Sequence, residues 1–434
     1  MKKYLAILLG VFLILSFAIT AYAQDETEIT LGGKILMRGW YWDNIPASHL
    51  PEESQSQAVY STNLFLTLDA KVTDNLRAFI EVETCNNLIG SSGLYFWGEE
   101  GWDTKARPFM FFRQLWIQYT GSGLLGVPSG MKIGHMPIAL GEKLFLRNER
   151  FGTDGILLWV DPAKELHLAI ATAKLDEGDW RKHSDDIDAY ILLGTYKLAD
   201  MTLGANWTWV NSSRTLDDPL NFHNLGVHAN GKAAGLSYAA EVDMQFGKAE
   251  NIAADDQKFR GWAIFAKLGY ALDPINIRGS FAMGSGDSDT GDGKIKEFQT
   301  IVGNDSQSLF ARFPNYTLVY ERAVRTTAQD QVLTGNIRTT GIANTTYYNI
   351  GADITPVKDL TFTADAFLIR ATKNEAGSKS AGTEVDVTAN YKIAKNFSYF
   401  VQAGALWPGK YYEETFGIDK KTVTHLLHGV SLSF

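Results

Sequence analysis

Residues 384 to 393 read EVDVTANYKI. Glu384, Asp386, Thr388, Asn390 and Lys392 fall on one side of an extended chain. Val385, Val387, Ala389, Tyr391 and Ile393 fall on the other, because successive side chains of a strand point to opposite faces. A helical period would mix the two sets. The stretch is therefore a strand with one wet face and one apolar face. Residues 237 to 246 split the same way, Ser237, Glu241, Asp243 and Gln245 against Tyr238, Val242, Met244 and Phe246. So do residues 63 to 70, with Asn63, Thr67 and Asp69 opposite Leu64, Leu66 and Leu68.

The pattern recurs along the whole chain and is broken in a regular order. Tight links rich in Gly, Pro, Asn and Asp, such as Thr73-Asp74-Asn75, Ala199-Asp200 and Asp273-Pro274, alternate with longer polar segments. Short turns on one side and long loops on the other are the plan of a transmembrane antiparallel β-barrel. The segments add up to about 18 strands, an even number as single-chain bacterial barrels have. Residues 129–137 and 154–161 alternate least well, so 16 strands is the alternative count. Residues 138–153 read as one of the long loops.

Both ends of the chain fit this all-β plan. Lys2 and Lys3 precede an apolar run from Leu5 to Ile19, and Ala21-Tyr22-Ala23 follows, as in a secretory signal peptide cut after residue 23. Residues 24–434 then form a single barrel in the bacterial outer membrane. At the other end Leu426, Val430, Leu432 and Phe434 share a face, and the terminal Phe434 resembles the signal that such barrels present to their assembly machinery. Trp40, Tyr119, Trp207, Trp209, Trp262, Tyr270, Tyr399 and Trp407 lie near strand ends, where aromatic girdles contact outer-membrane lipids.

If the apolar face meets lipid, the polar face lines a hydrated pore. Strand parity then points Lys34, Arg38, Arg77, Lys132, Lys267, Arg278 and Lys392 inward. It does the same for Asp69, Glu81, Glu83, Asp188, Glu241, Asp243, Asp353, Asp365, Glu384 and Asp386. Bases gather on the early strands and acids on the late ones, an arrangement that sets a transverse field across a constriction. Residues 285–342 are far longer than a plain connection, and loops of that size are usually functional or disordered. They carry Arg312, Arg322 and Arg325, and are expected to fold into the mouth and constrict the pore.

That long loop begins with GSGDSDTGDGK, residues 284–294. Its spacing does not match a helix-loop-helix calcium site, which wants a bidentate glutamate at its end. Asp287, Asp289 and Asp292 remain a candidate calcium site of another geometry; no other cofactor is expected. A formal charge of -9 without a basic cluster argues against a nucleic-acid partner.

Two further segments carry a family resemblance. Gly134-His135-Met136-Pro137-Ile138-Ala139-Leu140-Gly141-Glu142, with NERFGTDG at 148–155, resembles the segment of the alginate-export family of outer-membrane barrels in which a G-R-Q strand leads to a Leu-Gly pair and an aromatic-glycine-aspartate stretch. GSGDSDTGDGKIKEFQTIV with Phe313-Pro314-Asn315 is similar to that family's Gly-Asp-rich segment. The resemblance implies an 18-stranded barrel that passes an anionic polysaccharide, with basic side chains along its path and loops gating it. Read from the residues alone, the solute is a small polar or saccharide molecule, moving by diffusion or export.

Two other classes compete. A barrel-embedded hydrolase would place an acid-histidine or serine-histidine group at the outer rim, and His183 beside Asp185 and Asp186 is the one local pairing of that kind. A sheath for a periplasmic electron-transfer partner is the other. The chain has no C-x-x-C-H, so covalent haem would belong to that partner.

Overall fold

The computed structural model describes residues 27–46, 56–85, 95–96, 109–123, 126–178, 186–212, 219–250, 256–302, 316–325, 332–334, 337–338, 340–375, 377–417 and 419–434. Among them, eighteen strands form one closed ring. They are β1 (Glu28–Asp43), β2 (Gln57–Lys71), β3 (Leu76–Cys85), β4 (Phe109–Gly121), β5 (Ser129–Ala139) and β6 (Leu146–Ala163). Next come β7 (Leu166–Asp176), β8 (Ile187–Leu198), β9 (Met201–Ser212), β10 (Leu220–Ala233), β11 (Leu236–Ala249) and β12 (Trp262–Leu272). The last six are β13 (Ile275–Gly284), β14 (Thr345–Val357), β15 (Leu360–Ala371), β16 (Ser380–Ala394), β17 (Phe397–Pro408) and β18 (Val423–Ser433).

Every strand pairs antiparallel with the next, and β1 pairs with β18 from Lys34 against Ser433 to Asp43 against Thr424. Closure removes the free edges that would otherwise seek another strand. The seam is fastened at its lower end by Phe434, whose carbonyl accepts the Gly33 N–H at 2.9 Å and whose N–H returns to the Gly33 carbonyl at 3.0 Å. The turns at this end are short. Between β10 and β11, Ala234 and Gly235 have φ of 49° and 82°, the double positive φ of the two-residue turn that matches strand twist.

The two faces of the wall obey different solvents. Leu31, Met244, Leu268 and Ile350 stand on the outer face, each more than half exposed, a belt that only lipid covers favourably. Trp207, Trp262, Tyr270, Tyr399 and Trp407 are exposed with them. Trp40 does not join this girdle. It is buried inside the barrel and donates its indole N–H to Ser61 Oγ at 2.9 Å.

The segment 138–153 is mostly strand rather than loop, since β5 continues to Ala139 and β6 begins at Leu146. A register shift between Met136 and Ile138, and Gly152 at φ 70°, break the alternation that would have revealed it. The hairpin tip so formed turns into the lumen.

Candidate functional site: the barrel lumen

Three inward segments pack together in the loop-side half of the barrel. The first is the β5–β6 tip, where Leu140, Leu144, Phe145 and Leu146 are buried with Phe222, Phe259 and Ile301 in an apolar core. Glu142 donates its backbone N–H to Glu241 on β11 at 2.5 Å, and its side chain accepts from Asn230 on β10 at 2.9 Å. Gly141, at φ 52°, permits this approach; a Cβ there would stand 2.0 Å from Glu241 Oε1.

The second segment comes from the long connection after β13. Ile301 and Val302 pair in parallel with Leu146 and Arg147, extending the inward tip by one short strand. The Gln299 N–H reaches Gln245 Oε1 at 2.9 Å and so ties this segment to β11. The third is a wide helical turn, Tyr320–Arg325, all six residues of which are buried. Its first N–H groups need acceptors, as at any helix start. Glu384 takes those of Val319 and Tyr320, both at 2.7 Å, and Asp386 takes that of Leu318 at 3.0 Å.

The wall beneath β1–β6 holds a buried charged array. Glu83, fully buried, accepts from Asn63 at 2.8 Å and from Arg150 at 2.8 Å, with Arg113 3.2 Å away. Arg113 also pairs with Glu81 at 2.7 Å, and Gln114 bonds the second Glu81 oxygen at 2.8 Å. Arg38 donates to Asn63 and lies over the Trp40 ring. Arg113 reaches this array through a bulge: Glu81 faces Gln114 and Val82 faces Phe112, which leaves Arg113 as the extra residue.

The turn-side half is lined differently. Arg77 is paired with Asp69 at 2.7 Å, and Lys132 stands 4.0 Å from the Trp116 ring centre. Arg278 bridges Asp353 and Asp365, at 2.5 Å to each. Lys34 and Lys267 face inward with them, Lys267 exposed on the inward face of β12. Among these residues five cations stand against three carboxylates, Asp69, Asp353 and Asp365. The other inward carboxylates, Glu81, Glu83, Glu241, Asp243, Glu384 and Asp386, are all buried in the loop-side half.

The sequence matches the alginate export family over residues 46–424. The chain belongs to the alginate export family. Solved barrels of Pseudomonas aeruginosa share its architecture at low identity. OccK2 (OpdF) superposes with a TM-score of 0.56 at 12% identity, covering 94% of this chain and 98% of that one. OccK8 (OprE) gives 0.55 at 12%, covering 93% and 98%. OpdK, solved with vanillate, gives 0.52 at 13%, covering 93% and 99%. Among curated proteins, none matches the sequence. The closed 18-stranded barrel and the family together make this protein an outer-membrane channel for polar solutes.

In this alginate-export barrel several residues lie elsewhere than parity predicts. Asp188 is on the outer face, not in the lumen. It pairs in register with Lys174 and bonds it at 2.8 Å, while its neighbours Ile187, Ala189 and Ile191 are buried inward. The packed segments give β8 and β9 an apolar interior to face, so polarity no longer distinguishes inside from outside there. Asp186 belongs to the same outer cluster, 3.0 Å from Lys174; His183 and Asp185 lie outside the described residues.

The three aspartates of the calcium candidate lie at the start of the long connection after β13. Asp287 and Asp289 each accept a backbone N–H two residues ahead, and Asp292 binds Lys294 and Lys296. Their oxygens cap turns instead of converging, and no cluster of three or more acidic, His or Cys side chains gathers among the described residues. Lys296 holds the Asp292 carboxyl below the usual aspartate range, with Lys294 adding to it.

Arg322 and Arg325 sit inside the wide helical turn, Arg325 donating to Thr345 and Arg322 lying 3.4 Å from His425 Nε2. Arg312 lies outside the described residues. Lys392 is exposed near the turn end of β16. Arg113 and Arg150 are not legible as inward residues, because Arg113 is the extra residue of a bulge and Arg150 lies just before the irregularity at Gly152. Lys197 and Lys232 are two further inward cations that the sequence analysis does not name, although both keep the inward parity of β8 and β10 to the strand end.

Proposed function

We propose that this barrel conducts acidic polar solutes, uronate-bearing saccharides in particular, along a basic wall that opens on the turn side. In outer-membrane barrels the short turns face the periplasm, so the basic half is the one met by a solute leaving the cell. One observation carries the reading: the inward acids of the loop-side half are held by the packed segments (Glu241, Glu384, Asp386) or by wall arginines (Glu81, Glu83), and cations outnumber carboxylates on the open wall. A cationic vestibule concentrates anions and lets guanidinium and ammonium groups meet carboxylates in sequence.

The loop-side half then acts as the gate, with the inward β5–β6 tip and residues 316–325 as its moving parts. The same reading assigns the exposed apolar belt to outer-membrane lipid and Phe434 to recognition by the barrel assembly machinery. The test is the reversal potential of the pure protein in planar bilayers under a salt gradient. Anion selectivity, with block by oligouronates added on the turn side, is expected. Cation selectivity with no oligouronate block would overturn the proposal.

A further inference from the structure

Two strands of the wall repeat one arrangement of carboxyl groups. Glu241 and Asp243 alternate along β11, and Glu384 and Asp386 along β16, each pair facing inward with one residue between. Asp243 and Glu384 are fully buried, and Glu241 and Asp386 nearly so. In both pairs the two side chains are hydrogen-bonded to each other. In both, the glutamate also holds the backbone of an inward segment. Glu241 accepts the Glu142 N–H of the β5–β6 tip, and Glu384 accepts those of Val319 and Tyr320.

A hydrogen bond between two carboxyl groups contains a proton, because ionised carboxylates only accept. The remaining contacts show where it sits. Glu384 gives both oxygens to amides, and Asp386 gives Oδ2 to the Leu318 N–H, while Asp386 Oδ1 accepts from no donor. In the other pair Asn224 donates to Asp243 Oδ1 at 2.7 Å, and Asp243 Oδ2 accepts from none. The idle aspartate oxygen is thus the one placed to carry the proton toward the glutamate. Burial requires the same, since two like charges in contact away from water are strongly unfavourable.

The neighbouring elements do not supply the missing charge. Beside the first pair stand Gly226 and His228 on β10, Ala263 and Phe265 on β12, and Glu142 of the tip. Beside the second stand Asp365 and Phe367 on β15, with Asp365 held by Arg278, and Gly404 and Leu406 on β17. The wide turn brings Arg322, whose charge acts on Asp386, and Glu321, which accepts the Tyr316 N–H. Among the described residues each pair therefore meets at most one positive charge, enough for a monoanion and too little for a dianion.

We propose that each pair shares one proton, that these two protons latch the inward segments to the wall, and that their loss at alkaline pH releases the β5–β6 tip and residues 316–325. The segment amides stabilise one charge in each pocket. A second charge is relieved only by water, which enters when the segment withdraws. The packed arrangement then binds one more proton per pair than the hydrated one, so acid favours packing and alkali favours release. Of the proposed function this takes only that the two segments form the gate.

The experiment uses the whole barrel in detergent micelles, between about pH 6 and about pH 10, a range that brackets buried carboxyl groups. Infrared spectroscopy reads the C=O absorption of neutral carboxyl groups, and hydrogen exchange, corrected for its intrinsic pH dependence, reads the amides of Glu142, Val319 and Tyr320. The natural protein is expected to lose neutral-carboxyl absorption and the protection of these three amides over one pH interval. Asp243→Asn and Asp386→Asn keep an acceptor oxygen and replace the shared proton by an N–H that alkali does not remove. Each is expected to lack the absorption of its own pair and to keep the amides of its own segment protected up to the alkaline limit. Protection that persists at about pH 10 in the natural protein would overturn the proposal, even where a variant fails to fold. So would variants that retain the natural pH dependence. Neither readout involves conductance, so a barrel that does not select anions leaves this test intact.

Discussion

The Glu384 carboxylate lies 2.7 Å from the backbone nitrogen of Val319, and its second oxygen lies 2.7 Å from that of Tyr320. One wall residue thus holds two consecutive amides of the inward segment, beside the Leu318 N–H that Asp386 accepts and the Thr345 hydroxyl that Arg325 reaches. Charge-assisted hydrogen bonds of this kind contribute about 1.5–3 kcal/mol. Glu384→Gln retains one acceptor and presents an NH2 to the other amide. The variant is expected to show more frequent open events in single-channel recordings and faster proteolysis within residues 316–325.

Replacing residues 287–341 by a short Gly-Ser link is expected to raise single-channel conductance. Thr346 already faces Met283 in register, so a short link closes the hairpin without strain. The replacement removes Phe298, Ile301, Val319 and Tyr320 from the interior core. An unchanged conductance would show that this segment does not narrow the passage.

Arg150 and Glu83 are both buried, 2.8 Å apart. Truncating Arg150 to Ala leaves the Glu83 charge with less compensation, a change that typically costs about 3–5 kcal/mol. Urea unfolding of the barrel in lipid vesicles should register that loss. Arg77→Gln, by contrast, alters an exposed pair and is expected to change stability by about 1 kcal/mol or less. Its effect should appear in ion selectivity, which shifts toward cations.

Burial pushes the Glu297 carboxyl up to about 7, against the opposing pull of Arg325, with Asp287 adding to the rise. The folded state therefore binds this proton more tightly than the unfolded chain, where a glutamate titrates at about 4.3. Its contribution to stability is present below that unfolded value and is lost as pH rises through about 7. The neighbouring segment at Ile301 and Val302, which pairs with the β5–β6 tip, is expected to loosen between pH 5 and 8. Hydrogen exchange on this segment measures the effect, and Glu297→Gln should abolish its pH dependence.

Alternation over two residues is a local property, and EVDVTANYKI shows it without any knowledge of neighbours. The same period placed β7 through β13 and set the inward parity of Lys267, Arg278, Asp365 and Glu384, because a strand that separates water from lipid has no freedom to mix its faces. Phe434 and the spacing of turns made the ring legible as well. Parity misleads where something other than water or lipid meets the wall. Polarity points Asp188 to the lumen although Ile187 and Ala189 are the residues that face it, packed against apolar segments, and Arg113 escapes strand parity because its bulge inserts one residue and shifts the face.

By itself the sequence determined a closed barrel with a polar interior, since its period and its turns admit little else. Only the tertiary structure decided which interior charges remain available to a solute. Glu241, Glu384 and Asp386 are spent on amides of segments distant in the chain, whereas Arg77 and Lys267 stay on the open wall. Hydrogen bonds between residues far apart in sequence leave no periodic trace, so whether a carboxylate faces water or holds a gate is settled only when the chain has closed on itself.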